Sequence, residues 1–246
     1  MFLGIAAALV AAAGIASWLL IGGSDEEDGP PSAVIVDQLS VTYPNPEFVE
    51  QATATLEAAG YTVDYYSGDE TDVDFYRKLP VFGYDVIIFR NHADRLEAVE
   101  PNGERFDEVV LFTSEPYVRE RFLEDQAQNR LVISRYYDGG DPYFGISARF
   151  VEDAMLGDFD GATVIMMGCE GLLTDRTAKA FIEHGASSYI SWDETVSATH
   201  TDAAGERLLE LLLNEGLSPA DAAARTMEEL GPDPAFGSTL LAYPGG

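Results

Sequence analysis

Short apolar runs recur along the chain with helix-length stretches between them, and this alternation constrains the fold more than any other feature. Ala33 to Leu39 (AVIVDQL), Tyr84 to Arg90 (YDVIIFR), Ala162 to Gly168 (ATVIMMG) and Ser187 to Trp192 (SSYISW) have the length of strands buried in a sheet. Tyr61 to Tyr66 (YTVDYY) alternates as a further strand. Between the first two of these strands, Phe48, Ala52, Leu56 and Ala59 fall at helical spacing and Gly60 stops the helix. Strand, helix, strand, helix, strand is the order that a parallel sheet with crossover helices requires. The expectation is an α/β three-layer sandwich around a mostly parallel sheet.

The middle of the chain departs from this rhythm. Glu108 to Ser114 and Leu131 to Tyr137 read as two strands of a hairpin-like excursion, with Tyr117 to Gln128 as a charged helix between them. Gly139-Gly140-Asp141-Pro142 is a turn cluster, and Ser147 caps a helix that runs to Met155. Parallel order then resumes. Helices are expected at Thr174 to His184, at Asp202 to Asn214, and from Ser218-Pro219 to Leu230. Thr239 to Tyr243 adds a last strand.

Residues 1–23 are a separate segment. Phe2 to Gly22 carry no charge, and at about 1.5 Å per residue they can cross a hydrocarbon core of about 30 Å. They read as a single transmembrane anchor, with a secretory signal as the rival. Residues 24–32, containing SDEEDGPP, form an acidic linker, and residues 33–246 form one α/β domain. The expected location is the cell membrane, single-pass, with the domain outside the cell.

The chain holds 43 acidic and 14 basic residues, a net charge of -29. A duplex-binding surface needs clustered positive charge, so nucleic acid is excluded as a partner. The acids are dispersed rather than set at metal-ligand spacing, which is the pattern of a surface kept soluble in high salt. The one cysteine, Cys169, excludes an internal disulfide and a cysteine-rich zinc site. No metal or cofactor is implied.

In open parallel sheets, ligands bind beyond the carboxyl ends of the strands. One strand runs into Asn91-His92-Ala93-Asp94, and another into Gly168-Cys169-Glu170-Gly171. A histidine and the only cysteine therefore stand at one edge of the sheet. Thiol hydrolysis needs this pair: sulfur attacks a carbonyl while the imidazole moves the proton, and backbone N–H groups hold the oxyanion. Taken singly, Cys169 also reads as a buried small hydrophobe and His92 as a hydrogen-bonded loop residue. His184 reads as a helix-end cap and His200 as a loop or cap residue.

At these residues the chain resembles the caspase-like cysteine peptidases, which include caspases, metacaspases, gingipains and CHAT-domain proteins. The likeness lies in the layout of a strand then His, an excursion, and a hydrophobic strand ending in Cys. VIMMGCEG looks like the family's apolar run into its cysteine, and Cys169-Glu170 is similar to the Cys-Glu of CHAT domains. TAKAFIEHGASSYISW resembles the helix, turn and strand that follow. The resemblance implies a membrane-anchored peptidase acting on a peptide or protein, with His92 and Cys169 catalytic. It implies an oxyanion site at the N–H groups of Cys169 and Ala93, although the family usually has glycine where Ala93 stands. It also suggests Asp37, Asp193 and Glu170 as substrate-pocket acids, and Glu170 as a charge that disfavours the thiolate. Two alternatives remain open: a glutamine-amidotransferase-like hydrolase with His200 as its base, and a non-catalytic binding module at the cell surface.

Overall fold

The computed structural model describes residues 29–99, 103 and 105–244. The anchor expected over residues 1–23 lies outside the described residues, as does the linker up to Asp28. No described helix is long and apolar enough to cross a membrane.

The central sheet has six strands. In chain order the first three are β1 (Ser32–Asp37), β2 (Thr62–Ser67) and β3 (Val86–Arg90). An excursion follows, made of β4 (Ala93–Val99), β5 (Arg105–Pro116), β6 (Leu131–Ser134) and β7 (Tyr143–Ile146). The chain then re-enters the central sheet through β8 (Thr163–Met166), β9 (Ser188–Trp192) and β10 (Leu240–Tyr243). The central order is β10-β9-β8-β3-β1-β2, with every pair parallel except β9 and β10. The α/β fold with a mostly parallel sheet is thus as the alternation of the sequence requires.

Among the described residues, seven α-helices connect the strands: α1 (Pro46–Ala58), α2 (Val73–Lys78), α3 (Leu123–Ala127), α4 (Ala148–Asp153), α5 (Arg176–Glu183), α6 (Ala198–Leu213) and α7 (Pro219–Leu230). Successive side chains of a strand point to opposite faces, and both faces here are covered. Val34, Val36, Ile87, Phe89, Val164 and Met166 pack under α2, α4 and α5. Ala33, Ile35, Val86, Ile88, Ile165 and Met167 pack under α1, α6 and α7. The capping residues read from sequence hold: Ser147 Oγ accepts the Phe150 N–H at 3.3 Å, and Ser218 Oγ accepts that of Asp221 at 3.2 Å.

The excursion differs from the expected pair of strands. It is a four-stranded antiparallel sheet, ordered β4-β5-β7-β6. Of the helix expected over residues 117–128, only α3 forms. Ala93 to Val99 (ADRLEAV) carries no strand signal of its own, because its Ala, Leu and Glu favour helices, and only pairing with β5 makes it a strand.

Candidate active site

The two middle strands, β3 and β8, set the site. They run parallel in a register that matches Phe89 with Met166, and the Met167 N–H donates to the Phe89 carbonyl at 2.8 Å. Three residues further along each strand stand His92 and Cys169. Continuing the register brings them to the same level beyond the carboxyl ends of neighbouring strands. The strands stay close there because Gly168 has no side chain, and a Cβ at that position would collide with the Asn91 carbonyl oxygen. Asn91 is fixed from behind: its Oδ1 accepts from the Tyr76 hydroxyl at 3.0 Å and its Nδ2 donates to the Phe112 carbonyl at 2.7 Å.

His92 is boxed by aromatic rings. Tyr136 lies 4.7 Å away between ring centroids, and Tyr43 and Phe112 lie at 5.9 Å. Its backbone N–H donates to Gln38 Oε1 at 3.0 Å, and Gln38 Nε2 donates in turn to the Tyr136 hydroxyl at 2.7 Å. The ring Nε2 is 2.9 Å from Thr42 Oγ1. Nδ1 has no hydrogen-bond partner among the described residues, so it is the nitrogen available for chemistry. Burial, reinforced by the positive charge of Arg90, pushes the imidazole down to about 4. It is therefore neutral at pH 7.

Cys169 is partly buried, and its thiol donates to the Val196 carbonyl at 3.6 Å. Burial pushes the thiol up, and the carboxylates of Glu170 and Asp233 push the same way. Thiol and imidazole are both uncharged at neutral pH, which suits transfer of a proton from one to the other during attack. Glu170, the next residue, has a φ of 61°, a left-handed backbone that a non-glycine residue adopts at a cost. Two bonds hold it: its N–H donates to the Glu194 carbonyl at 3.0 Å, and its Oε1 accepts from Thr195 Oγ1 at 3.1 Å. Gly171 completes the turn, since a Cβ there would collide with Ser191 Oγ.

Two backbone N–H groups lie beside the site. That of Cys169 lies against its own sulfur and has no other acceptor among the described residues. The Phe112 N–H bonds the His92 carbonyl at 3.0 Å, so the next pair, Ala93 and Leu111, is of the type that exchanges no bonds. The Ala93 N–H accordingly points off the free edge of β4.

His92, Cys169 and Thr195 form a ridge between two clefts. One cleft, of about 490 Å³, is polar, with Asp94, Arg135, Asp138 and Glu170 among its lining residues. The other, of about 330 Å³, is mostly apolar and lies where the chain order reverses between β1 and β3.

The structure gathers some of the residues expected from sequence and leaves others apart. Glu170 lines the polar cleft, while Asp37 and Asp193 line neither. Asp37 is 1% exposed and is bound by Arg90 Nη1 at 2.9 Å and the Tyr65 hydroxyl at 3.2 Å. The same guanidinium grips Asp202 through Nε and Nη2, both at 2.8 Å, and donates to the Tyr43 carbonyl. Asp37 is thus part of a buried structural network. The Asp193 carboxylate accepts the Thr239 N–H at 2.6 Å and ties β9 to β10. His200 contacts the Trp192 ring and the Gly231 carbonyl and lines neither cleft. His184 is the C-cap of α5, as expected. Thr42, Gln38, Tyr136 and the 194–197 loop are not legible in the sequence, because nothing in their spacing marks them. Among the described residues no cluster of side chains is arranged to hold a metal ion.

No family model and no curated protein matches this chain. Among solved structures it is similar to protein GSU0716 from Geobacter sulfurreducens, at 11% identity and a TM-score of 0.40, covering 87% of this chain and 93% of that one. A likeness that distant carries no argument about fold or function.

Proposed function

We propose that the protein is a thiol hydrolase of the caspase-like kind, cleaving peptide bonds with Cys169 as nucleophile and His92 as general base. The observation that carries this reading is that the single cysteine and a partly buried, neutral histidine line the same two clefts. They stand at matched positions beyond two central strands, on a ridge open to two clefts. In the proposed reaction Cys169 Sγ bonds to the carbonyl carbon as its proton passes to His92 Nδ1. The N–H groups of Cys169 and Ala93 receive the carbonyl oxygen as it gains charge. His92 then gives the proton to the departing amine as the carbon–nitrogen bond breaks. Water, deprotonated by the same nitrogen, releases the acyl group as an acid and restores the thiol. Thr42 accepts the Nε2–H and so keeps Nδ1 bare.

The wider layout supports the same reading: strand, histidine, excursion, strand, cysteine, within helices on both faces in a three-layer arrangement. The apolar run Phe2 to Gly22 supports a membrane tether with the domain outside the cell, and the dispersed acidic surface supports adaptation to high salt. Peptide or protein is the proposed substrate. An acyloxymethyl-ketone peptide tests the chemistry: the thiol displaces the carboxylate, a sulfur–carbon bond forms, and the thiol proton leaves on the carboxylate. Labelling of wild type and none of Cys169→Ala is expected, whereas labelling that survives the substitution removes Cys169 as nucleophile.

One observation favours a second reading, that of a non-catalytic binding module. The thiol bonds to the Val196 carbonyl rather than to His92, and its surroundings oppose the thiolate. An intact Cys169 after iodoacetamide treatment of the folded protein selects this alternative.

A further inference from the structure

The two clefts that meet at Cys169 differ in chemistry, and the difference addresses what kind of substrate the site accepts. The smaller cleft has no Asp, Glu, Lys or Arg among its lining residues. Its floor is Leu39, Met167 and Val196, all nearly inaccessible to solvent, and its rim is Tyr43 and Phe236, each more than half exposed. Ala198, at the start of α6, closes one side.

The side-chain polar atoms of Thr201, Ser197 and Asn91 in this wall are already engaged. Thr201 Oγ1 donates to the Met167 carbonyl at 2.7 Å and accepts the Trp192 indole N–H at 2.9 Å. Ser197 Oγ donates to Asp233. Both polar atoms of the Asn91 side chain are held by Tyr76 and Phe112. Asp233, behind the rim, is taken up by Ser197 and by the N–H groups of Ala235 and Phe236, which also fix where the Phe236 ring stands. A charged side chain entering this cleft loses its water and finds no opposite charge on the lining, and the dispersion attraction of the walls is too small to offset that loss. An apolar side chain loses only unfavourable hydration.

We infer that this cleft is the specificity pocket, and that it selects substrates with a large uncharged side chain, aromatic or branched aliphatic, on the residue whose carbonyl Cys169 attacks. The inference rests on the thiol-hydrolase reading above. Asp37 and Asp193, the substrate-pocket acids that the resemblance suggested, do not line this cleft.

The test is a set of acyloxymethyl-ketone peptides that are identical except for Phe, Leu, Arg, Lys or Asp next to the reactive ketone. Inactivation rate and mass at Cys169 are read together. Phe and Leu are expected to react roughly 10- to 100-fold faster than the charged members, the range that burial of one apolar side chain supports. Ala198→Glu, which places a carboxylate in the wall, is expected to slow Phe and Leu and to bring Arg and Lys level with them. Phe236→Ser, at the exposed rim, is expected to weaken the preference for Phe several-fold with the fold intact by circular dichroism. Equal rates across the set, or a preference for Arg or Asp, overturn the specificity and leave Cys169 as nucleophile. If no member modifies Cys169 while the folded protein binds the same peptides, the thiol-hydrolase reading itself is lost.

Discussion

Two polar constellations stand two residues apart at the end of β3, and they are built in opposite ways. Arg90 is 1% exposed, and its Nε, Nη1 and Nη2 are all bonded, to Asp202, Asp37 and Tyr43. Among the described residues, His92 keeps one ring nitrogen without a partner and the Cys169 thiol holds only a long bond to a carbonyl. The first network ties β1 and the loop after it to α6. The second opens on two clefts. A saturated buried network makes architecture, and incompletely engaged groups beside a cleft make chemistry; substitutions should separate the two.

The largest difference is expected at Cys169. Cys169→Ala should lower peptide hydrolysis by more than about 1,000-fold while changing stability by less than about 1 kcal/mol. Urea unfolding followed alongside an activity assay checks both halves. Arg90→Met should do the reverse and cost about 3–5 kcal/mol of stability, because it leaves two carboxylates buried without a cation. Burial already lifts the Asp37 carboxyl above its usual range despite Arg90. Without the guanidinium Asp37 binds a proton still more readily in the folded state than in the unfolded state. The destabilisation of Arg90→Met should therefore be smaller at pH 5 than at pH 8 in urea titrations.

Smaller effects sharpen the contrast. Thr42→Val removes the partner of Nε2 without touching the Arg90 network, and should cost roughly tenfold in kcat/KM and less than about 1 kcal/mol in stability. The pH dependence is the last test of this kind. His92 titrates at about 4 when folded and near about 6.5 when unfolded. Between those values the unfolded chain binds the proton and the folded one does not, so this contribution to stability is complete above about pH 6.5 and falls as pH drops toward 4. Activity should hold through that range and fall only as pH approaches about 4, where the folded imidazole takes up its proton and can no longer act as base. His92→Gln should remove the segment from the stability profile. Alkylation of Cys169 should have its midpoint above the ordinary thiol value of about 8.5.

The sequence is most legible where burial is symmetric. VIIF of β3 and VIM of β8 are apolar because both faces of these strands are covered, and the positions of His92 and Cys169 follow from where those runs stop. The caps at Ser147 and Ser218 are legible because a serine before a helical pattern has a local use for its hydroxyl. β4 and β7 are not, since ADRLEAV has the composition of a helix and YFGI is four residues around a glycine. Gly145 is required there because a Cβ would meet Ser134 and Val110 across the pairing, a closeness invisible along the chain. Asp37 is visible as an acid near the sheet edge, but its partner is not. An arginine closing an apolar strand is the available signal for a buried ion network. Thr42 and the 194–197 wall come from loops, whose placement depends on packing rather than on local pattern.

The central claim is that His92 and Cys169 act as one unit, and a double-mutant cycle on kcat/KM measures it most directly. With a peptide substrate bearing an uncharged large residue, His92→Ala and Cys169→Ala should each nearly abolish turnover. The double variant should then be no slower than Cys169→Ala alone. Wild-type turnover in His92→Ala, or losses that simply multiply in the double variant, would contradict the account.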